Sequence, residues 1–342
     1  MAAALLDPRD GYYTRATLRA TPLGDERGRG GDFVTAPELT QVFGELLGLW
    51  CLEAWQRLGA PSHFKLVELG PGRGTLMSDV LRSLALIPGC RAAAEIHLVE
   101  VSPRLRAMQR DRLQGEKVIW HGSIATLPAG LAVILANEFL DALPIRQFEK
   151  TPQGWRERLV VRDGDGGLSF ALSGALPSGL LDAPDAATGA ILEHCSAATA
   201  VVAALAERFR GSPGAALFID YGYATRPWKG SLQAVAGHRK VPPLSDPGCA
   251  DLSALVDFSA LGQAARRAGA RVHGPVTQAT LLQALGIEER SAGLQHGKSP
   301  ERAGSIARAC RRLIAPGGMG ESFLALSLES PGLESPAGFP LA

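Results

Sequence analysis

The stretch VELGPGRGTL, residues 67–76, follows an apolar run with an acid and three alternating glycines, Glu68-x-Gly70-x-Gly72-x-Gly74. Glycine lets a backbone approach a bound molecule closely, at an entropic cost that a plain turn does not require. The pattern therefore predicts a ligand-binding loop between a strand and a helix.

Two phosphate-binding loops fit this spacing less well. A P-loop is excluded because Thr75 and Leu76 stand where its second glycine and its lysine would fall, and Thr75 also replaces the third glycine of a dinucleotide fingerprint. Glu68 would repel a pyrophosphate but attract an ammonium or sulfonium group, and S-adenosylmethionine carries both. The loop resembles motif I of the class I S-adenosylmethionine-dependent methyltransferases, in which the acid and glycines hold the methionine part of the cofactor.

An adenosine cofactor requires further groups, and the chain offers them at the expected places. HLVEVSP ends a predicted strand at Glu100, whose carboxylate can accept hydrogen bonds from both ribose hydroxyls. Ser102 and Pro103 then open a helix as N-cap and first-turn residue. We expect Ser102 near the cofactor and an adenine pocket at Ser123 and Ile124, after the next strand.

The stretch ANEFLDALP supplies the candidate catalytic groups. Asn137, Glu138 and Asp141 follow a predicted strand, and in open α/β folds ligands bind at the carboxyl edge of the sheet. A pair of carboxylates could bind a planar guanidinium bidentately and hold it against the methyl group. We therefore assign Glu138 and Asp141 to catalysis, with Tyr221 of DYGY as a weaker candidate across the crevice, for which a purely packing role is the alternative.

The elements that must position these residues alternate between apolar strands and helical patterns, which is typical of an α/β fold with a mostly parallel sheet covered on both faces. The predicted strands are 64–69, 95–100, 117–120, 131–137, 215–221, 270–276 and 321–329. Seven strands with a late pair match the class I methyltransferase plan, in which the last strand lies antiparallel beside the fifth.

Additional segments interrupt that plan. Residues 145–175 contain the turn signal at 163–167 and predict an inserted β-hairpin, whereas 277–316 predict a helical insertion. TPLGDERGRGGD, at 21–32, lacks periodicity and predicts a loop. The predicted domains are an N-terminal lid and helix at 1–60, a core at 61–144 and 211–330, an inserted hairpin and helix at 145–210, and the helical insertion at 277–316.

Composition narrows the class of protein. The 342 residues carry a net charge of +1, which indicates neither a nucleic-acid partner nor attraction to an acidic membrane. The five cysteines include no Cys-x-x-Cys pair, so we expect neither disulfides nor a metal site. Without a membrane-spanning run or a recognisable targeting segment, the sequence predicts a cytoplasmic protein.

Several stretches in order resemble the MidA family, which includes bacterial proteins and the mitochondrial arginine methyltransferase that assists respiratory complex I assembly. These stretches are GDFVTAPELTQVFGELLGLW (31–50), LVELGPGRGTLMSDVLR (66–82), ANEFLDALPIRQF (136–148), FIDYGY (218–223), DPGCADLSALVDFSAL (246–261) and MGESFLALSLE (319–329). The resemblance implies a class I fold, S-adenosylmethionine as cofactor and, from the family's eukaryotic member, methylation of a protein arginine, with a complex I subunit as a candidate partner. By position it also implies that Asn137 belongs to the cofactor site and Glu138 to the active site.

Two other classes of function remain open at this point. A non-enzymatic assembly factor could retain the cofactor pocket and use its insertions to hold a partner. A nicotinamide dehydrogenase is disfavoured by Thr75 and Glu68. The leading interpretation is a methyltransferase that acts on arginine in a protein.

Overall fold

The computed structural model describes residues 1–14, 35–174 and 185–340. The helices are α1 (Ala2–Leu6), α2 (Ala36–Leu39), α3 (Gln41–Arg57), α4 (Thr75–Leu84), α5 (Pro88–Ala93), α6 (Pro103–Arg112), α7 (Ser196–Gly211), α8 (Phe258–Arg267), α9 (Gln278–Ala284), α10 (Ile287–Gln295), α11 (Pro300–Ile314) and α12 (Met319–Ser322). The strands are β1 (Phe64–Leu69), β2 (Ala94–Val99), β3 (Val118–His121), β4 (Ala132–Asn137), β5 (Arg146–Thr151), β6 (Gly154–Arg162), β7 (Leu168–Leu172), β8 (Ile191–His194), β9 (Gly214–Tyr223), β10 (Gln233–Ala236), β11 (Arg239–Val241), β12 (Asp251–Ser253), β13 (Val256–Asp257), β14 (Arg271–Thr277) and β15 (Phe323–Glu329).

The main sheet confirms the predicted α/β fold. Its strand order is β14-β15-β9-β4-β1-β2-β3, and β15 is antiparallel to both of its neighbours. The other pairings in this path are parallel. All seven predicted strands are present, and the antiparallel strand lies beside β9, the fifth strand of this sheet in chain order. The carboxyl ends of β1, β2, β3 and β4 consequently lie along one edge.

Both faces of the main sheet are covered, which explains why its strands read as unbroken apolar runs. In β4, Val133 and Leu135 belong to the buried cluster that includes α3 and α4, whereas Ile134 belongs to the cluster that includes α7 and α8. Successive side chains of a strand point to opposite faces, so one strand contributes to both clusters. Helix α7, grouped in the sequence analysis with the insertion, packs on the main sheet.

The predicted hairpin is part of a larger structure. β5 and β6 pair antiparallel as expected, but the turn signal at 163–167 joins β6 to β7, and the sheet order is β7-β6-β5-β8. A third sheet, β11-β10-β12, was not predicted. Strands of three or four residues, such as β8 and β12, contain too few alternating positions to be recognised.

The helical prediction for 277–316 corresponds to α9, α10 and α11, and the loop predicted at 21–32 lies outside the described residues.

Candidate active site

A cavity of about 330 Å³ lies at the carboxyl edge of the main sheet. Its walls come from the residues that follow β1, β2, β3 and β4, together with part of α1 and the segment that contains α2. Parallel strands bring their carboxyl ends together, so residues that are far apart in sequence converge here. This is the edge at which the sequence analysis placed the site.

The glycine loop adopts the backbone conformation that its composition predicts. Gly70, Gly72 and Gly74 have φ of +63°, +51° and +80°, in the left-handed region where other residues are strained. A Cβ on Gly70 would also lie 2.7 Å from Cδ2 of Phe139. Gly70 and Gly72 line the cavity, whereas Gly74 is the N-cap of α4 and lies outside its lining.

Glu68 presents a buried carboxyl group to the cavity. The residue is 3% exposed, and its Oε2 has no hydrogen-bond partner within the part of the chain that the structure describes. Burial raises the pKa of Glu68 to about 8, a backbone hydrogen bond from Met77 opposes the shift, and the charge of Glu100 adds to it. An unsatisfied buried carboxyl group of this kind fits a cationic ligand, which would favour its ionised form.

Glu100 ends β2 with both carboxylate oxygens held in place. Oε1 accepts a hydrogen bond from the backbone N–H of Ser102 at 2.8 Å, and Oε2 accepts one from Gln109 Nε2 at 3.3 Å. Burial raises the pKa of Glu100, and these two hydrogen bonds oppose that shift. The fixed carboxylate lines the cavity and is suited to accept hydrogen bonds from ribose hydroxyls.

Ser102 lies behind the cavity wall, contrary to the predicted cofactor contact. Its Oγ caps α6 by accepting from the backbone N–H of Leu105, and it donates to the carbonyl oxygen of Tyr13 at 2.6 Å. The helix-capping role predicted from the sequence is therefore present. Ser123 and Ile124 do line the cavity, and with Leu105 they provide a partly apolar wall suited to a purine ring.

Glu138 projects from a strained position at the end of β4. Its φ is +49°, which is uncommon for any residue except glycine and is concentrated at functional sites. Oε1 accepts hydrogen bonds from the backbone N–H of Ala36 at 3.0 Å and from Asn137 Nδ2 at 3.1 Å. Burial raises the pKa of Glu138 to about 7, with a further increase from the charges of Asp220 and Asp251.

Asn137 adds a second unsatisfied group. The residue lines the cavity and is buried, and its Oδ1 lacks a hydrogen-bond partner among residues 1–14, 35–174 and 185–340. Since buried amide oxygens are normally paired, this oxygen is available to a ligand donor.

Asp141 does not line the cavity, but it belongs to a cluster of acids behind Glu138. Burial raises the pKa of Asp141 well above its usual range, and the charges of Asp220, Asp251 and Glu138 contribute. Asp251 in turn accepts a hydrogen bond from the Tyr13 hydroxyl at 2.8 Å. The cluster favours a positively charged partner.

Asp220 was not identified from the sequence, although it precedes the predicted Tyr221. Its Oδ2 accepts hydrogen bonds from the backbone N–H groups of Phe139, Leu140 and Asp141, at 3.1, 2.8 and 3.3 Å. Burial raises the pKa of Asp220 to about 7, and its backbone hydrogen bonds oppose the shift. Asp220 therefore fixes the loop that follows β4.

Tyr221 is placed differently from the prediction. It lies outside the cavity lining and packs against Phe323 of the antiparallel strand β15, with ring centroids 5.8 Å apart. Alternation along β9 accounts for this, since the adjacent Asp220 is the residue that faces the loop after β4. The structure thus brings eight of the twelve predicted residues to the cavity, and Gly74, Ser102, Asp141 and Tyr221 lie outside its lining.

The segment that contains α2 supplies residues that sequence reasoning missed. Thr35, Pro37 and Glu38 line the cavity, and Glu38 Oε1 accepts a hydrogen bond from Thr75 Oγ1 at 2.6 Å. The two residues are separated by 37 positions in sequence, so no local pattern links them. Arg73 could have been recognised from the sequence, because it lies within the glycine loop itself.

These residues fit S-adenosylmethionine group by group. Glu68 provides a buried negative charge for the ammonium or sulfonium, and Glu100 provides acceptors for the ribose. Arg73 is the one cation among the described cavity-lining residues, and a guanidinium is the group best suited to pair with a carboxylate such as that of the cofactor. The strand order and this cavity together define a class I S-adenosylmethionine-dependent methyltransferase.

Comparisons with known proteins agree. Residues 46–276 match the family described as "Putative S-adenosyl-L-methionine-dependent methyltransferase", and the chain belongs to this family. It is 38% identical to the protein arginine methyltransferase NDUFAF7, mitochondrial, of Danio rerio, over 94% of this chain and 80% of that protein. For the human NDUFAF7 the identity is 35%, covering 94% and 77%.

A solved structure extends the agreement to the cofactor. A protein from Burkholderia thailandensis, solved with S-adenosyl-homocysteine bound, has a TM-score of 0.84 and 31% identity, covering 98% of this chain and 88% of that one. The cofactor of the family is therefore S-adenosylmethionine, as the glycine loop and Glu68 predicted.

The predicted location in the cytoplasm is contradicted by these comparisons. The arginine methyltransferase relatives from fish, mouse and human are named as mitochondrial proteins, which points to the mitochondrion instead. The prediction relied on features that the first residues lack, and such an absence does not identify a compartment. No helix in the described part of the chain has the length and apolar character needed to cross a membrane.

Proposed function

We propose that this protein transfers the methyl group of S-adenosylmethionine to an arginine side chain of a protein that takes part in respiratory complex I assembly. The observation that carries the proposal is the acidic end of the cavity, where Glu138 faces the interior and Asp141, Asp220 and Asp251 lie behind it. Relatives named as protein arginine methyltransferases support the choice of acceptor. The link to complex I rests on the resemblance to the MidA family.

The acidic end provides what a guanidinium acceptor requires. Ionised Glu138 pairs with the positive charge and orients the planar group, and the backbone N–H of Ala36 and the side-chain amide of Asn137 keep the carboxylate in one position. Bound S-adenosylmethionine supplies a methyl group on a sulfonium. As the nitrogen–carbon bond forms and the sulfur–carbon bond breaks, the arginine nitrogen loses one proton, which Glu138 can accept because its pKa is near 7.

The test is transfer of labelled methyl from S-adenosylmethionine into proteins of a mitochondrial lysate, followed by mass spectrometry of the modified residue. We expect methyl-arginine in a subunit or assembly partner of complex I. Methyl-lysine or methyl-glutamine as the product would refute the arginine assignment. Binding of S-adenosylmethionine without any methyl incorporation would favour an assembly factor that retains the cofactor pocket.

A further inference from the structure

Gln109 of α6 joins two separate parts of the cofactor site from behind. Its side chain is fully buried, at 0% exposure, and does not line the cavity. Nε2 donates hydrogen bonds to the carbonyl oxygen of Gly72 at 2.7 Å and to Glu100 Oε2 at 3.3 Å. One amide group therefore connects the glycine loop to the acid at the end of β2.

The direction of this amide is fixed by Trp120 of β3. Its indole Nε1 can only donate, and it donates to Gln109 Oε1 at 2.8 Å. A flipped amide would turn its oxygen towards the Gly72 carbonyl and the Glu100 carboxylate and its NH₂ towards the indole, so all three contacts would become repulsive. The guanidinium of Arg110 lies 4.9 Å from the centre of the Trp120 ring and packs over it.

Helix α6 also packs closely against the glycine loop at this point. A Cβ on Gly74 would lie 3.5 Å from Cα of Gln109, which is van der Waals contact. The loop and Glu100 are therefore held at a set separation by packing and by hydrogen bonds to the same residue. Ligands that contact both parts depend on that separation, because a shift of about 1 Å is enough to weaken positioned contacts.

We propose that Gln109 is a positioning residue that aligns Glu100 with the glycine loop, so that one S-adenosylmethionine molecule can contact both through its ribose and its methionine part. Gln109 acts through Gly72 and Glu100 and makes no contact with the ligand itself. Its loss must therefore affect the ribose hydroxyls more than the remainder of the cofactor.

The test substitutes Gln109→Met, which conserves length and helix propensity but removes all three hydrogen bonds. Gln278→Met is the matched control, because Gln278 is also 0% exposed and donates from Nε2 to the Leu313 carbonyl at 2.8 Å, away from the cavity lining. Calorimetry measures binding of S-adenosylhomocysteine and of its 2′-deoxyribose analogue to each full-length variant. The ratio of the two affinities reports the contribution of the ribose hydroxyl.

For Gln109→Met we expect this affinity ratio to fall about tenfold, since Glu100 Oε2 loses its hydrogen bond from Gln109 and the carboxyl group is then held only through Oε1, by the backbone N–H of Ser102. Gln278→Met should leave the ratio unchanged within about twofold, although it also loses a buried hydrogen bond. Trp120→Phe retains Gln109 but removes the donor that anchors its Oε1, so the amide is held less firmly and the ratio should fall in the same direction by a smaller factor.

Equal weakening of both ligands by Gln109→Met would show that Gln109 supports the fold in general, and would overturn the proposal. The same change of ratio in Gln278→Met would overturn it as well. If Gln109→Met does not fold, Trp120→Phe decides the matter, and an unchanged ratio in that variant would contradict the positioning role.

Discussion

The two ends of the cavity hold their carboxylates in different ways. At the cofactor end, Glu100 is fixed by Ser102 and Gln109, two and nine residues along the same strand–helix unit. At the acidic end, Glu138 receives a hydrogen bond from Ala36, 102 residues away, and Tyr13 reaches Asp251 across 238 residues. The cofactor end is built locally, whereas the acidic end is assembled from segments distant in sequence.

The difference extends to charge. At the cofactor end, Glu68 and Glu100 line the cavity where they can receive a cation and sugar hydroxyls, and Arg73 adds a positive charge to the lining. At the acidic end, burial raises the pKa of Glu138 to about 7 and raises that of Asp141 as well, and the charges of neighbouring acids add to both shifts. Burial also raises the pKa of Glu68 at the cofactor end, to about 8, so we infer that a cationic ligand completes each end: the cofactor at Glu68 and the acceptor at Glu138.

The largest effect that we expect is a loss of folding stability when the acidic end is altered. Asp220→Ala leaves the backbone N–H groups of Phe139, Leu140 and Asp141 without their shared acceptor. We expect the free energy of unfolding to fall by about 3 kcal/mol in urea denaturation. Asp165→Ala, in an exposed turn, is the control and should have little effect. A loss for Asp220→Ala no greater than that of the control would show that the loop after β4 is held by other contacts.

The next effect is the pH dependence of S-adenosylmethionine binding at the cofactor end. Because the pKa of Glu68 is raised to about 8, the group is mainly protonated in the free protein at pH 6 to 7. A cationic ligand favours the ionised form, so binding releases a proton and affinity rises with pH, by about tenfold between pH 6 and 7. Calorimetry of S-adenosylmethionine binding in two buffers of different ionisation enthalpy measures the release. Binding that depends neither on pH nor on the buffer would place Glu68 outside the cation contact.

The smallest effect distinguishes a residue that only stabilises the cofactor end from one that contacts the cofactor. Ser102→Ala removes the N-cap of α6 and the hydrogen bond to the Tyr13 carbonyl, so the free energy of unfolding should fall by about 1 kcal/mol. Affinity for S-adenosylhomocysteine should change less than about twofold, because Ser102 does not line the cavity. A tenfold loss of affinity without loss of stability would restore the direct contact that the sequence predicted.

The same contrast explains what the sequence could reveal. The strands β1 to β4 and the glycine loop are encoded by contiguous residues, and their predicted bounds agree with the structure to within one or two positions. Glu100 followed from its position at the end of the next predicted strand. By contrast, the role of Asp220 depends on three N–H groups about 80 residues away, and no local pattern specifies that contact.

The placement of Tyr221 depends on geometry that the sequence did not show. Tyr221 was chosen because it lies in DYGY, but alternation along β9 directs Asp220, and not Tyr221, towards the loop after β4. The sequence did not show which of these two residues faces which side of the sheet. Asp220 is buried and Tyr221 is half-buried, because the sheet is covered on both faces. Placement of single side chains required the three-dimensional structure.

We infer that one end of the cavity binds the cofactor and that the other activates the acceptor. The most direct test compares Glu68→Gln with Glu138→Gln, two nearly isosteric changes of cavity-lining carboxylates, by measuring for each the Kd of S-adenosylmethionine and the rate of methyl transfer at saturating cofactor. We predict that Glu68→Gln weakens cofactor binding about tenfold and largely preserves the saturated rate, whereas Glu138→Gln changes Kd less than about threefold and lowers the rate about 100-fold. Parallel losses of affinity and rate in both variants would contradict the division of the cavity into two ends.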